Sequence, residues 1–292
     1  MSRHSASAPS DHSLRARSLP KHKEKLAMSL IPLLYRSDDL PPEMRDAEEV
    51  YEHKFHVRFA NLAHFPKTLM EKLHKPDDGT EEVGGDVAIA SREDPTVLSE
   101  LQTLERVANA RDPSRDDRLQ YFTALKAVYQ KLPRGPQEYV HLPDTLCVGI
   151  AREGRILAEA MDWLPPDRAL RPDMKRIPYQ GGLIVGLSEL PELQRFGRVI
   201  IIDGAIASGA TTITLIEKLR TYLDNFYIYS IHSPYEGLRG ITRYCRAAGV
   251  KVAITVGHAT VGLNKKYYAT DPQDPDKLVV GDLGDTISDL QT

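Results

Sequence analysis

The residue types that can do chemistry are concentrated between Val199 and Thr212. Four apolar residues there lead into Asp203, and a short run of small residues follows before a helical pattern begins. Small residues let backbone N–H groups close around an anion, and a helix N-terminus adds partial positive charge. Serine and threonine hydroxyls supply further donors. This stretch therefore predicts a phosphate-binding loop. The residues that we expect to contact the phosphate are Ala207, Ser208, Gly209, Ala210, Thr211 and Thr212.

Asp203 places a carboxylate directly before that loop. There it can accept hydrogen bonds from sugar hydroxyls, and it can stabilise positive charge that develops at an anomeric carbon. The alternative is that Asp203 only caps the following turn and that the small residues only link a strand tightly to a helix. The chain has no GxxxxGK[ST] pattern here and no GxGxxG pattern, which excludes an NTPase loop and disfavours a dinucleotide-binding fold.

The second half of the chain alternates strand patterns with helix patterns. The apolar run Val199–Ile202 is typical of a strand buried on both faces of a parallel sheet. Further strands are predicted at 146–150, 226–231 and 250–256, and a helix before the last of them is predicted to end at Gly249. This order predicts an α/β protein with a doubly wound parallel sheet, in which ligands bind beyond the carboxyl ends of the strands.

Two helices are predicted upstream of these strands, and their apolar stripes indicate faces that pack on a core. The first stripe consists of Val97, Leu101, Leu104 and Val107. The second stripe consists of Leu119, Phe122, Leu125, Val128 and Leu132, and its helix ends before Pro133.

Three segments are expected along the chain. Residues 1–27 hold six lysines or arginines against two acidic residues, which is typical of a flexible basic tail. Residues 28–95 form an N-terminal extension, which we expect to be mostly helical, and residues 96–292 form the main domain. The 292 residues allow a sizeable core, and a formal net charge of −3 does not favour a nucleic-acid partner.

The sequence favours a cytoplasmic protein. No apolar run reaches the roughly 20 residues that span a bilayer, and the first residues lack the apolar stretch of a secretory signal. Cys147 and Cys245 lie in apolar contexts, which favours buried thiols in a reducing compartment over a disulfide or a metal site.

Two histidines follow strand patterns near the expected ligand edge of the sheet. His232 and His258 can therefore act in proton transfer, since histidine titrates close to neutral pH. The alternative is that each is a histidine of the surface or of the edge of the core, without a chemical role.

The nine residues from Asp203 to Thr211, Asp-Gly-Ala-Ile-Ala-Ser-Gly-Ala-Thr, resemble a signature of the type I phosphoribosyltransferases. That signature binds 5-phosphoribosyl pyrophosphate (PRPP). The segment is similar to the uracil phosphoribosyltransferase branch, which has D-P-M-L-A-T-G-G-S at this point. Most type I members have a second acidic residue directly after the first. The uracil branch lacks it, and this chain has Gly204 there.

Three further regions resemble the same family, in the same order along the chain. Cys147 to Gly154 is similar to a strand and L-R-A-G loop that holds pyrophosphate, and Ser233 to Gly237 is similar to a P-E-G motif. Gly262 to Tyr268 and Gly281 to Asp285 are similar to the G-L-N-x-x-G-Y and G-D-A-G-D motifs of a C-terminal hood that covers the base. The resemblance extends over about residues 144–290.

The resemblance implies transfer of a phosphoribosyl group from PRPP to uracil or a related nitrogenous acceptor, with release of pyrophosphate. It implies two catalytic residues, Asp203 at the ribose and Arg152 at the pyrophosphate. It also implies a Mg²⁺ cofactor that is held mainly by pyrophosphate oxygens, without a dedicated set of protein ligands, and a homo-oligomer such as a homodimer. The base-binding residues carried over from the hood are Ala269, Gly281, Asp282 and Leu283, with Asp282 near PRPP or its Mg²⁺.

Two departures from the family pattern leave an alternative open. Between Tyr268 and Gly281 the chain is several residues longer than the family's link. Between Pro165 and Asp203 the family's mobile loop, which carries an arginine and acidic residues, has no clear match. The alternative is a catalytically divergent protein that binds PRPP or a nucleotide as a regulator or assembly subunit. An RNA-binding regulator on the same fold is disfavoured by the near-neutral charge.

Overall fold

The computed structural model describes residues 87–110, 112–150, 153–176, 183–186, 193–260, 262–264, 268–271 and 273–280, together with short strands at 35–36 and 63–65. Within these residues the strands are β1 Tyr35–Arg36, β2 Ala63–Phe65, β3 Val87–Ile89, β4 Thr145–Gly149, β5 Ala169–Leu170, β6 Asp173–Arg176, β7 Leu183–Gly186, β8 Arg198–Ala205, β9 Asn225–Pro234, β10 Lys251–Thr260, β11 Gly262–Leu263, β12 Ala269–Asp271 and β13 Asp274–Leu278. The helices are α1 Ala90–Glu93, α2 Thr96–Ala108, α3 Arg115–Gln130, α4 Glu153–Ala160, α5 Ala210–Leu219 and α6 Tyr235–Ala248. None of these described helices is long and apolar enough to cross a membrane.

Six strands form a parallel sheet in the order β3-β10-β9-β8-β4-β5. Helix α5 joins β8 to β9, and helix α6 joins β9 to β10. Each of these connections is a strand–helix–strand crossover, which is the connection that neighbouring parallel strands require. The prediction of an α/β protein with a parallel sheet is confirmed.

Alternate residues of β8 point into two separate cores. Val199 and Ile201 pack in one cluster with residues of α5 and α6, whereas Ile200 and Ile202 pack in the other with residues of α2, α3 and α4. All four side chains are fully buried. Helices therefore cover both faces of the sheet, which is the doubly wound arrangement predicted from the apolar run.

The order of the strands reverses beside β4. The next strand of this sheet along the chain, β5, lies on one side of β4, and β8 lies on the other side. In sheets of this kind a crevice opens at the carboxyl ends of the strands that flank the reversal, and ligands bind there. This rule places the crevice between the ends of β4 at Gly149 and of β8 at Ala205. The predicted phosphate loop follows the second of these ends.

Helix α3 buries a different stripe from the predicted one. Leu125 and Val128 are buried as expected, but Leu119 is 68% exposed. Tyr121 and Tyr129 take inward positions instead, and both are fully buried. Each hydroxyl finds an acceptor near the carboxyl edge of the sheet, so the rings fill the core while the polar atoms stay hydrogen-bonded. The expectation that Leu119 belongs to the core is wrong. All four predicted core residues of α2 are buried.

Between residues 28 and 95 the structure describes three strands, β1, β2 and β3, and the whole of helix α1, and most residues of the extension that was predicted to be mostly helical lie outside the described residues. β1 and β2 belong to an antiparallel sheet in the order β1-β2-β7-β6, and β2 and β7 contact α5. β3 pairs with β10 as an edge strand of the parallel sheet. The central sheet thus includes a strand that lies before residue 96.

A small antiparallel sheet, β11-β12-β13, is the described part of the predicted C-terminal hood. Ala269 and Val279 of this region pack on Ala207 of the phosphate loop. The residues that make the chain longer than the family pattern at this point form the hairpin β12–β13. The added length therefore builds a structural element that lies against the loop.

Candidate active site at the carboxyl edge of the parallel sheet

Asp203 lies two residues before the end of β8, beside the crevice. Its register partner is Ser230 on β9. The carbonyl oxygen of Asp203 accepts a hydrogen bond from the hydroxyl of Tyr129, with the two oxygens 3.1 Å apart. The backbone of Asp203 is thus held by the sheet and by α3. Its side chain is half-buried, so it retains a surface that a ligand can reach.

The first half of the loop after β8 is packed against protein. The N–H of Ile206 donates to the carbonyl oxygen of His232 at 3.0 Å and to Oγ of Ser230 at 3.2 Å. Helix α6 approaches the same stretch so closely that a Cβ on Gly237 would lie 2.1 Å from the carbonyl oxygen of Ala207. Only glycine fits at 237, and the loop therefore has a rigid support.

The second half of the loop contains backbone donors that no described residue uses. Gly209 has φ +79°, a left-handed conformation that favours glycine, and it turns the chain into α5. Within the described part of the chain, no hydrogen bond uses the backbone N–H of Gly209, Thr211 or Thr212. These donors lie at the positive end of a ten-residue helix, which is an arrangement that binds anions.

The hydroxyl groups of the loop differ in what they can reach. Oγ of Ser208 accepts a hydrogen bond from the N–H of Ala210 at 3.3 Å, so it stabilises the turn. Thr211 is half-buried and exposes part of its side chain. Thr212 is only 1% exposed, and its Oγ1 has no hydrogen-bond partner in the described residues. Because this oxygen has no accessible surface, Thr211 is the better placed hydroxyl, and Thr212 can offer its N–H.

A second carboxylate, which sequence reasoning missed, lies next to the end of β8. Glu153 begins α4 directly after the loop of β4, and it is 4% exposed. Its Oε1 accepts a hydrogen bond of 2.9 Å from the hydroxyl of Tyr121. A Cβ on Gly204 would lie 3.0 Å from Oε2 of Glu153. The signal for it in the sequence was the glutamate of Ala151-Arg-Glu-Gly154, where the family motif has alanine.

His232 and His258 lie within the last residues of β9 and β10, and they are register partners across the two strands. Their ring centroids are 6.0 Å apart, and Oγ of Ser91 lies 2.8 Å from Nδ1 of His258. Burial, with a smaller effect of His258, lowers the pKa of His232 to about 3. Burial also lowers the pKa of His258. Both are therefore neutral histidines at the edge of the core.

The described residues offer little metal or thiol chemistry. Among them, no group of three or more His, Cys, Asp or Glu could hold a metal ion. Cys147 and Cys245 are buried free thiols, as predicted, and burial raises the pKa of Cys147 to about 11. A thiol that stays protonated at neutral pH is a poor nucleophile and a poor metal ligand. A divalent cation at this edge would need most of its ligands from a bound phosphate compound.

The structure brings together part of the predicted site. The loop residues 207–212 lie at one end of the crevice with Asp203, and Ala269 of the hood packs on Ala207. Ala269 is fully buried, and its carbonyl oxygen accepts a hydrogen bond of 3.2 Å from the N–H of Val279. The other predicted positions lie outside the described residues, namely Arg152, Gly281, Asp282 and Leu283.

Comparison with known proteins finds similarity only among solved structures. No protein-family model matches the chain, and no curated protein matches it. The AQ2163 protein from Aquifex aeolicus aligns at 20% identity with a TM-score of 0.48, over 69% of this chain and 97% of that one. Adenine phosphoribosyltransferase from Trypanosoma brucei, in complex with AMP, pyrophosphate and ribose-5-phosphate, aligns at 14% identity with a TM-score of 0.40, over 61% and 85% of the two chains.

A third structure is orotate phosphoribosyltransferase from Mycobacterium tuberculosis in complex with PRPP. It aligns at 10% identity with a TM-score of 0.34, over 60% of this chain and 97% of that one. Several of the similar structures are therefore phosphoribosyltransferases. At these identities and TM-scores the similarity assigns neither a family nor an activity, and the chemistry has to follow from the residues at the crevice.

Proposed function

We propose that this protein binds PRPP at the crevice and transfers its phosphoribosyl group to a nitrogenous acceptor, with uracil or a related base as the first candidate. The observation that carries the proposal is a set of unused backbone donors at the start of α5. The N–H groups of Gly209, Thr211 and Thr212 donate to no acceptor within the described residues. They follow a half-buried carboxylate, Asp203, at a point where the strand order reverses. This combination suits a sugar that carries a terminal phosphate.

Each part of PRPP then has a partner. The 5′-phosphate lies against the loop 207–212 and accepts hydrogen bonds from the N–H groups of Gly209, Thr211 and Thr212 and from the hydroxyl of Thr211. The carboxylate of Asp203 faces the ribose, and Arg152 neutralises the pyrophosphate. The acceptor lies at the hood, where the resemblance assigns base binding to residues 281–283 and to Ala269, although the carbonyl oxygen of Ala269 is already used by Val279. The pattern of residues that resembles the type I phosphoribosyltransferases supports these roles.

The proposed reaction is a substitution at the anomeric carbon of the ribose. The bond to the pyrophosphate oxygen breaks first, and that oxygen keeps the electron pair. A nitrogen lone pair of the acceptor then forms the new bond to this carbon, and the nitrogen gives up its proton to solvent. Positive charge builds up on the ribose between the two events, and a nearby carboxylate such as Asp203 stabilises it. Mg²⁺, bound by pyrophosphate oxygens, would neutralise charge on the leaving group.

The test separates binding from turnover. Titration calorimetry with PRPP and Mg²⁺ measures affinity, and pyrophosphate release is followed with uracil and a panel of other nucleobases. Asp203→Asn should reduce turnover by about 10²-fold or more, while the Kd for PRPP changes by less than about tenfold. Asp144→Asn is the matched control, because Asp144 pairs with Arg198 at 3.0 Å at the opposite end of β8. It should leave both quantities unchanged.

A second candidate function is binding of PRPP or a nucleotide without turnover, as a regulator. Two features of the sequence favour it: the family's mobile loop has no clear match between Pro165 and Asp203, and Gly204 stands where most type I members have a second acidic residue. Tight PRPP binding with no pyrophosphate release across the whole panel would support this candidate. Absence of PRPP binding would contradict both candidates.

A further inference from the structure

Glu153 is a buried carboxylate that the proposed reaction does not yet use. It is the first residue of α4, its side chain is 4% exposed, and the hydroxyl of Tyr121 donates to its Oε1 at 2.9 Å. Burial of a carboxylate costs free energy. Proteins therefore bury a carboxylate mainly where it has hydrogen-bond partners and a structural or functional role. The location of Glu153, at the crevice, indicates what that role is.

The side chain of Glu153 fills the space beside Asp203 that residue 204 leaves vacant. A Cβ on Gly204 would lie 3.0 Å from both Cβ and Oε2 of Glu153 and 3.1 Å from its Cγ. These distances are tighter than most contacts of a real Cβ, so a side chain at 204 would require Glu153 to shift by a few tenths of an ångström. A carboxylate from the neighbouring strand–helix unit thus occupies the volume next to Asp203.

The backbones of the two units are also in direct contact. A Cβ on Gly154 would lie 2.4 Å from the carbonyl oxygen of Ile202 and 2.6 Å from Cα of Asp203. The start of α4 is therefore pressed against the end of β8. A movement of Glu153 therefore also shifts the backbone of Asp203.

Helix α3 ties both carboxyl residues to one rigid element. Tyr121 donates to Glu153, and two turns later Tyr129 donates to the carbonyl oxygen of Asp203. Burial raises the pKa of Tyr129 well above its ordinary value, and the charges of Asp203 and Glu153 add to this effect. Both carboxylates therefore lie close enough to act on the same phenol.

We propose that Glu153 is a positioning residue for Asp203: it fills the place of the side chain that Gly204 lacks and holds the end of β8 so that the Asp203 carboxylate faces the ribose. The proposal rests on the proposed function, since it assigns Asp203 to the sugar. With so little exposed surface, Glu153 acts through its neighbours rather than by touching the ligand.

Two probes separate this role from a general effect on folding. Inorganic phosphate contacts only the loop at the start of α5, whereas ribose 5-phosphate also reaches Asp203. In Glu153→Ala the Kd for ribose 5-phosphate should rise about tenfold, the size expected from one misplaced charged hydrogen bond. The Kd for phosphate should change by less than about twofold, within the scatter expected for a site that is not coupled.

Companion variants test the spatial relationship. Glu153→Gln keeps the shape and the acceptor for Tyr121, so it should retain most of the affinity for ribose 5-phosphate. Gly204→Ala displaces Glu153 without changing any charge and should weaken binding in the same direction. The double variant Glu153→Ala with Gly204→Ala should bind better than either single variant, because the new methyl group occupies part of the vacated space.

A background without the Asp203 carboxylate provides the decisive comparison. In Asp203→Ala, adding Glu153→Ala should cause no further loss of ribose 5-phosphate affinity, since the positioned group is gone. An equal loss in both backgrounds, or an equal loss for phosphate and ribose 5-phosphate, overturns the proposal. If Glu153→Ala does not fold, Glu153→Gln and Gly204→Ala test the proposal with the same two ligands. The proposal is overturned if Gly204→Ala binds ribose 5-phosphate with wild-type affinity.

The outcome is independent of turnover. If the wild-type protein binds ribose 5-phosphate but releases no pyrophosphate, the proposed reaction is wrong. The coupling between Glu153 and Asp203 can still be measured from the binding data. A wild-type protein that does not bind ribose 5-phosphate at all overturns the proposed site and the role of Glu153 together.

Discussion

The hydroxyl of Tyr129 donates a hydrogen bond of 3.1 Å to the carbonyl oxygen of Asp203. Tyr129 is fully buried, and burial together with the nearby carboxylates raises its pKa, so the phenol stays protonated and keeps donating at neutral pH. This contact joins helix α3, which sequence analysis treated only as a packing element, to the residue most important for the proposed chemistry. Helix α3 therefore both covers the sheet and holds the site.

Tyr129→Phe should reduce both stability and catalysis. The variant leaves the carbonyl oxygen of Asp203 without its donor, which should lower the free energy of unfolding by about 1–2 kcal/mol. It should also lower turnover with PRPP, since the end of β8 loses a restraint. Tyr229→Phe is the matched control: its hydroxyl donates to the carbonyl oxygen of Arg134 at 2.7 Å. Urea unfolding should show a similar loss for both variants, and turnover should fall only for Tyr129→Phe. Equal turnover in the two variants would remove the contact from the mechanism.

Thr211→Val should weaken PRPP binding, whereas Thr212→Val should not. Thr211 is half-buried and can donate its hydroxyl to a phosphate oxygen, and loss of a hydrogen bond to a charged group costs about 1.5–3 kcal/mol. Oγ1 of Thr212 is buried without a partner in the described residues, so valine replaces it without loss of a contact. Calorimetric titration with PRPP checks the difference. The same loss in both variants would mean that the loop rearranges when the phosphate binds.

Much of the fold could be predicted because the central strand β8 contains an uninterrupted apolar run. Val199–Ile202 is buried on both faces, and such a run is typical of a central strand of a parallel sheet. The helices α5 and α6 follow from one-sided apolar spacing and from the C-cap Gly249, which has φ +70°. The phosphate loop was predictable for the same local reason: small residues and hydroxyls follow one strand directly.

What the sequence did not reveal depends on contacts between distant residues. Tyr121 faces the core because Glu153, 32 positions later, accepts its hydrogen bond, and no spacing pattern contains that partner. The three-residue strand Val87–Ile89 exists only by pairing with β10. From the sequence alone, Glu153 is expected to be an exposed residue at the N-terminus of a helix. Its burial follows from the missing side chain at Gly204, on a different strand.

Gly209→Ala should abolish the phosphate site with a larger effect on binding than on stability. A left-handed φ of +79° costs an L-residue about 1–2 kcal/mol, and the new Cβ would lie 2.8 Å from Cγ1 of Ile241. Relief of that contact requires a shift of the loop, which misaligns the N–H groups at the start of α5. Gly249→Ala is the control, since it has a similar φ at the far end of α6. Both variants should lose stability, but only Gly209→Ala should lose affinity for inorganic phosphate.

The buried imidazole of His232 should make the protein less stable in acid. Burial, with a smaller effect of His258, lowers the pKa of His232 to about 3 in the folded protein, against 6.5 in the unfolded chain. Below pH 6.5, His232 therefore binds a proton in the unfolded chain but stays neutral in the folded protein. The stability that the neutral ring contributes is complete above pH 6.5 and is lost as the pH falls toward 3. The slope for this one proton is at most about 1.4 kcal/mol per pH unit.

His232→Gln isolates this contribution, because glutamine does not titrate. The free energy of unfolding, measured in urea from pH 8 to pH 4, should fall less steeply below pH 6.5 in the variant than in the wild type. Above pH 7 the two curves should run parallel, since His232 is neutral in both the folded and the unfolded state there, and any constant offset reports only the change in packing. Curves that stay parallel down to pH 4 would mean that the folded protein accepts the proton on His232, which requires a polar or hydrated environment around Nδ1 instead of a dry one.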